Sequence, residues 1–200
     1  MATSTRGRPR SFDRDAALDA AAKLFWERGY EATSVRDLTE RLGVEAPSLY
    51  RAFGDKRSLF EEAVGEYDRR YGGFIDLALA EGATARDAAI RLLTEGPARY
   101  TRDGLPRGCL VVSGDAGTAD EGVAGWMIAM RSANVARLTD RIRRDVAAGE
   151  LPADVDPQAL ARFTMSSLNG LAEAAREGVP LVELEAVAAI ARGVWERIND

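Results

Sequence analysis

Residues 33–57 carry the most readable chemistry in this chain: Thr-Ser-Val-Arg-Asp-Leu-Thr-Glu-Arg-Leu-Gly-Val-Glu-Ala-Pro-Ser-Leu-Tyr-Arg-Ala-Phe-Gly-Asp-Lys-Arg. Hydroxyls, guanidinium groups and a phenol stand among small residues, a set that can hydrogen-bond phosphate oxygens and base edges. To present them the window must fold as two short helices. Val35, Leu38 and Leu42 fall at i, i+3 and i+7, one apolar stripe, and Thr33 or Ser34 is placed to cap the first helix. Gly43 suits a left-handed stop, after which Val44 can tuck back. Pro47 fits the first turn of a second helix, where Leu49 and Phe53 face inward. Ala46, Pro47, Ser48, Tyr50 and Arg51 are left at the outer edge. A helix-turn-helix needs this division, with one face buried and small or polar side chains offered to a major groove. A helical hairpin in an all-α core would share the apolar spacing.

The flanks favour nucleic acid. Arg6, Arg8 and Arg10 lie in a first decad without an acidic residue. They suit a minor-groove arm, although a solvated tail has the same composition. Downstream, Asp55 can cap a third helix whose first turn holds Lys56 and Arg57, aiming cations and free N–H groups at one phosphate.

With these residues in place, the window resembles the TetR family of bacterial transcriptional regulators. The matching pattern is Thr33-Ser-Val-x-Asp-Leu, then Leu42-Gly-Val, then Ser48-Leu-Tyr-x-x-Phe-x-x-Lys. The resemblance covers about residues 11–60, including a first helix with an Ala17, Leu18, Ala21, Leu24 and Phe25 stripe that ends at Gly29-Tyr30. It implies an all-α protein with an N-terminal arm and helix-turn-helix domain, residues 1–57, and a helical effector-binding and dimerisation domain, residues 58–200. It implies a ligand-responsive repressor that binds a palindromic double-stranded operator as a homodimer. Arg36 is then a base or phosphate contact, Ala46 and Pro47 meet base edges or thymine methyls, and Tyr50 and Lys56 hold phosphates. Thr33, Ser34, Ser48, Arg51 and the three arm arginines complete the expected contact set. Arg51 could read guanine or grip the backbone. Glu45 departs from the pattern, standing where many members carry a capping serine.

Composition sets bounds on the rest. The chain has 200 residues, 46% hydrophobic, ample for a buried core. Its net charge is −5, yet residues 1–57 hold more Lys and Arg than Asp and Glu while the remainder is acidic, as expected of a protein that touches DNA through one end. With no histidine and one cysteine, imidazole-based catalysis, zinc sites and disulfides within the chain are excluded. The Gly114–Gly117 segment is neither a P-loop nor a dinucleotide fingerprint, and no cofactor or metal is expected. An enzyme would be left with carboxylate chemistry alone. No apolar run approaches the ~20 residues of a membrane helix, and no signal core is evident, so a cytoplasmic protein is expected. The rival reading is a helical protein–protein module that does not bind DNA.

The body reads as further helices. One runs from Lys56 to about Tyr71 with Leu59, Phe60, Ala63, Val64 and Tyr67 on one side, until Gly72-Gly73 interrupts it. Thr84-Ala-Arg-Asp87 resembles a capping box opening a helix toward Pro97 or Tyr100. Gly104 to Gly117 reads as connecting chain. A long helix spans about Gly122 to Ala148, another starts at Pro157, and Gly178-Val-Pro180 separates it from the last. There Leu181, Leu184, Ala188, Ala191, Trp195 and Ile198 alternate in steps of three and four, a coiled-coil-like seam. Such a seam serves either the chain's own core or a four-helix dimer interface. In the second case Ser167, Gly170, Leu171, Leu184, Ala188, Ala191 and Trp195 meet the partner. Effector-pocket candidates are Tyr67, Tyr71, Phe74, Tyr100 and Trp126, together with Met127, Met130, Phe163 and Met165. Aromatic and methionine residues equally furnish plain core, and they favour an apolar or aromatic effector. Cys109 is either a buried small residue or, if Arg107 lowers its pKa, a reactive thiol.

Overall fold

The computed structural model describes residues 13–198. They form ten α-helices and no strand: α1 Arg14–Arg28, α2 Val35–Leu42, α3 Ala46–Phe53, α4 Lys56–Tyr67, α5 Phe74–Glu81, α6 Ala85–Tyr100, α7 Leu110–Ser113, α8 Glu121–Ala148, α9 Pro157–Arg176 and α10 Leu181–Glu196. None among the described residues is long and apolar enough to cross a membrane.

In the head, α1 lies along α4, and Phe25 meets Phe60 edge-on with ring centroids 5.0 Å apart. Leu38 of α2 and Leu49 of α3 are fully buried beside them. The turn between α2 and α3 needs Gly43, at φ 64, a conformation that L side chains adopt only with strain. Val44 N–H then donates to Thr39 O at 3.1 Å.

Three features of the body differ from the sequence reading. The helix from Lys56 stops as an α-helix at Tyr67, and Asp68–Gly72 widen into a π turn. Gly72 permits that turn, because a Cβ there would stand 2.7 Å from Tyr67 Cε1. Helix α5 follows directly, in a segment too uniformly apolar to show a clear stripe. The glycine-rich segment holds a single helical turn, α7, whose Leu110 is fully buried. The capping box at Thr84 and Asp87 is formed, and α6 continues through Pro97 to Tyr100.

The last helix narrows the dimer assignment to the groove edge, because most of its seam is taken up by the chain's own core. Its seam faces inward, with α10 lying chiefly along α6 of the same chain. Leu184, Ala188, Ala191 and Trp195 are all buried, Trp195 at 0% exposure, and its indole N–H donates to Thr164 Oγ1 at 2.9 Å. Arg86 of α6 donates to the carbonyls of Trp195 and Glu196, at 2.8 and 3.0 Å, closing the end of α10. A tryptophan so enclosed and hydrogen-bonded belongs to the chain's own core. Leu171 is likewise buried, whereas Ser167 and Gly170 reach the surface. The opposite face of α10 exposes Val182, Val187, Ile190 and Val194, with Ile190 at 77%.

Candidate nucleic-acid interface and effector cavity

Helix α2 is closed at its start by reciprocal bonds. Ser34 Oγ accepts from Asp37 N–H at 3.1 Å, and Ser34 N–H donates to Asp37 Oδ2 at 2.8 Å. Hydrogen bonds from Ser34, aided by Arg28 at 2.9 Å, hold the Asp37 carboxyl below its ordinary value. Thr33, the other hydroxyl considered for this cap, is fully buried and donates to Gly29 O at 2.6 Å. It ties off the end of α1, so the expectation that Thr33 contacts DNA is overturned. Arg36 projects outward at 86% side-chain exposure, paired with Glu40 one turn on at 2.8 Å. Solvent screens such a pair, so the guanidinium can exchange partners at little cost.

Helix α3 opens differently. Glu45 is its N-cap residue but makes no side-chain cap bond. The inward residues Leu49 and Phe53 are buried, while Pro47, Tyr50 and Arg51 are exposed and Ala46 and Ser48 partly so. Helix α4 starts next to it with Asp55 accepting from Ser58 N–H at 2.7 Å. Lys56 Nζ lies 4.2 Å over the Tyr30 ring, and burial lowers its pKa. Arg57 is drawn back along α4 to Glu61 at 3.0 Å.

Ion pairing sorts the cations of the head. Arg14, Lys23, Arg28, Arg36, Arg41 and Arg57 each have a carboxylate partner. Arg51 and Lys56 have none among the described residues, and they bracket the start of α4 beside exposed Tyr50. Cations without a direct ion pair, next to a small-residue helix edge, form a surface suited to a phosphate backbone. Arg6, Arg8 and Arg10 lie outside the described residues.

A head–body connection escaped the sequence reading. Tyr30 N–H donates to Gly114 O at 2.7 Å, and Thr118 Oγ1 donates to Glu31 at 3.0 Å. The loop after α7 therefore grips the end of α1. Its partners lie more than eighty residues apart in the chain, beyond any local pattern.

In the body, Tyr67, Phe74, Tyr100 and Met165 converge on a cavity of about 30 Å³ that also meets Asp68, Cys109 and Arg131. The other five pocket candidates do not line it. Met127 is wholly packed, Met130 lies against the core, and Trp126 stands edge-on to Phe60 at 6.2 Å. Tyr71 donates to Asp19 at 2.7 Å and faces Trp26 at the head–body joint. Phe163, at 39% exposure, lies on the outer surface of α9. Burial pushes the Cys109 thiol up, and Arg107 is turned away to the carbonyls of Ala175 and Val179. The cation that would have activated the thiol is thus engaged elsewhere.

The family described as bacterial regulatory proteins, tetR family, matches residues 17–63. The chain is 33% identical over 197 residues to the HTH-type transcriptional repressor ComR of Escherichia coli (strain K12), spanning 97% of this chain and 94% of ComR. It is 32% identical over 189 residues to the HTH-type transcriptional repressor BdcR of the same organism, spanning 92% and 90%. A solved structure of the TetR family transcriptional regulator CifR, a cysteine mutant complexed with 26bp double-strand operator DNA, resembles it with a TM-score of 0.87 at 42% identity. That match covers 94% of this chain and 100% of CifR. On a match that runs from the helix-turn-helix through the last helix, the chain belongs to the TetR family of DNA-binding transcriptional regulators and is not an enzyme.

Proposed function

We propose that this protein is a cytoplasmic repressor that binds a palindromic operator as a homodimer and releases it when a small apolar or aromatic molecule enters the body. The head, residues 1–57, is taken as the reading unit and residues 58–200 as the effector and dimer unit. The observation that carries the reading is the edge of α3 and the start of α4, where Tyr50, Arg51 and Lys56 stand beside Ala46, Pro47 and Ser48 and neither cation is held in a direct ion pair among the described residues. Ser34 and Arg36 extend the same surface, and Arg6, Arg8 and Arg10 supply its arm.

Dimerisation is supported by the outer face of α9 and α10. Ser167 and Gly170 rim a groove with Phe163, Val187 and Ile190, and Leu171, Leu184 and Ala191 form its floor. A contiguous apolar face of this kind, left on water, is costly. Pairing two copies about a two-fold axis covers it and sets two heads about one helical turn apart, ~34 Å.

Control follows from α4, which begins at Lys56 in the DNA-facing surface and ends at Tyr67 on the cavity wall. The cavity is smaller than a typical ligand site of ~300 Å³ or more. An effector must therefore open it, and its preference for the opened body shifts the spacing of the heads.

The test is selection of bound duplexes from a random library by the purified protein, then affinity against salt. An enriched palindrome with steeply salt-dependent binding supports the reading. No enrichment from folded protein moves the helical interaction module ahead of it.

A further inference from the structure

We infer that the cavity selects a cationic effector, an amine or ammonium carried on an apolar or aromatic group, and that Asp68 is the residue that holds it. The inference rests on reading this cavity as the effector site.

The π turn creates the arrangement. By widening the helix after Tyr67, it sets Tyr67 and Asp68 together on the cavity wall. At Gly72 an added Cβ would come 2.7 Å from the Tyr67 ring and 3.0 Å from Asp68 Oδ1, so only glycine leaves both in place. π turns of this kind recur at functional sites.

The charges around Asp68 are otherwise matched. Asp76, from α5, pairs with Arg137 of α8 at 2.6 Å. Arg131, the cation on the cavity wall, is held by both oxygens of Asp115, at 2.8 and 2.9 Å, and also donates to Val111 O. An anionic effector would have to displace Asp115. The remaining polar groups facing the cavity are the neutral Asn134, Asn169, Tyr67, Tyr100 and Cys109.

The Asp68 carboxylate makes no hydrogen bond or ion pair with the described residues, while its backbone N–H closes the end of α4. Burial, and then the nearby Asp76 charge, raise its pKa against the pull of Arg137, so the ionised carboxyl is under-compensated and gains from a further positive charge. Arg99 already covers one face of Phe74 at 4.9 Å. The Tyr67 and Tyr100 rings are left to flank an ammonium.

The test titrates the full-length protein, without DNA, with benzylamine, benzyl alcohol and benzoate, which differ mainly in charge. Calorimetry should show benzylamine binding about tenfold more tightly than benzyl alcohol, the scale of one charge-assisted contact, with benzoate weakest. In Asp68→Asn the preference should fall to within about twofold. Should that variant not fold, the wild-type protein still decides: benzylamine affinity rises from acid toward neutral pH as Asp68 ionises, through a range above the ordinary carboxylate value, while that of benzyl alcohol stays level. Equal binding of the three, benzoate preferred, no binding of any, or a preference that survives Asp68→Asn would overturn the inference. Because the titration contains no DNA, its failure is separable from failure of operator binding.

Discussion

The head and the last helix pair are built from the same material, amphipathic helices with one buried face, and they differ in what the other face offers. On α3 the outward residues are small, hydroxylic or cationic, with Tyr50, Arg51 and Ser48 around Pro47. On α10 they are Val182, Val187, Ile190 and Val194. A polyanion is attracted by the first and gains nothing from the second, whereas another protein surface gains most from the second. The contrast separates two kinds of surface within one chain: the outward face of α3 is polar and that of α10 is apolar. A second contrast lies inside the head. Helix α2 is sealed by Ser34 and Asp37, while α3, of equal length, begins at Glu45 with no side-chain cap. At the start of α3 the Ser48 N–H turns instead to the Glu45 carbonyl at 2.9 Å, and Pro47 has no N–H to satisfy.

The largest effect should come from crossing the two faces of α10. Trp195→Ala removes a fully enclosed ring and the indole N–H from which Thr164 Oγ1 accepts. Denaturant unfolding should show a loss of about 3–5 kcal/mol. Ile190→Glu, five residues earlier on the outer face, should leave secondary structure intact and convert dimer to monomer in sedimentation analysis. A dimer that survives Ile190→Glu would move the interface elsewhere.

Next in size is Arg51→Ala. The head's paired cations have an intramolecular alternative, whereas Arg51 has none among the described residues. If Arg51 meets phosphate, affinity should fall alike on all sequences and the salt slope should drop by about 1. If it reads guanine, the loss should be about 1–3 kcal/mol and specificity should relax at one position. An unchanged affinity and slope would remove Arg51 from the interface, and the same measurement on Arg36→Ala and Tyr50→Phe checks its neighbours.

The same two regions explain what could be read from the residues alone. Head elements are specified over three or four residues: Ser34 meets Asp37, Asp55 meets Ser58, and Gly43 reverses the chain, so their order and boundaries are visible in the string. Even there, two adjacent hydroxyls fitted one cap, and only burial separates Thr33 from Ser34. In the body, periodicity reveals a stripe but not the surface it meets. The Leu184-to-Trp195 stripe has the same spacing whether it meets α6 of its own chain or a second copy. The cavity depends on a register change at Asp68 and on side chains from several helices. Tyr67, Phe74, Tyr100 and Met165 are therefore no more distinctive in sequence than Met127, which is plain core.

A smaller effect is expected at the cap of α2. Ser34→Ala should cost about 1 kcal/mol, with a definite pH dependence. The folded pKa of Asp37 lies below its ordinary value of 3.8, first through its hydrogen bonds with Ser34. The stabilisation is thus fully present above that ordinary value and is lost as pH falls through the folded one. The difference between Ser34→Ala and the parent should be level near neutrality and shrink in acid. A difference independent of pH would show that Asp37 is not the partner that matters.

The smallest effect should come from Glu45→Ser. At present the α3 N-terminus has a carboxylate nearby but no side-chain cap bond. A serine hydroxyl can accept from an N–H group of the first turn and should add a few tenths of a kcal/mol to about 1 kcal/mol of stability. It also removes a negative charge from a surface read as phosphate-facing, so operator affinity should rise, most clearly at low salt, where repulsion is least screened. These two consequences can be separated. Better folding with unchanged affinity at every salt concentration would mean that Glu45 points away from the DNA. Better folding with weaker binding would mean that the Glu45 carboxylate itself meets the operator, accepting from a base edge as a carboxylate does from cytosine N4.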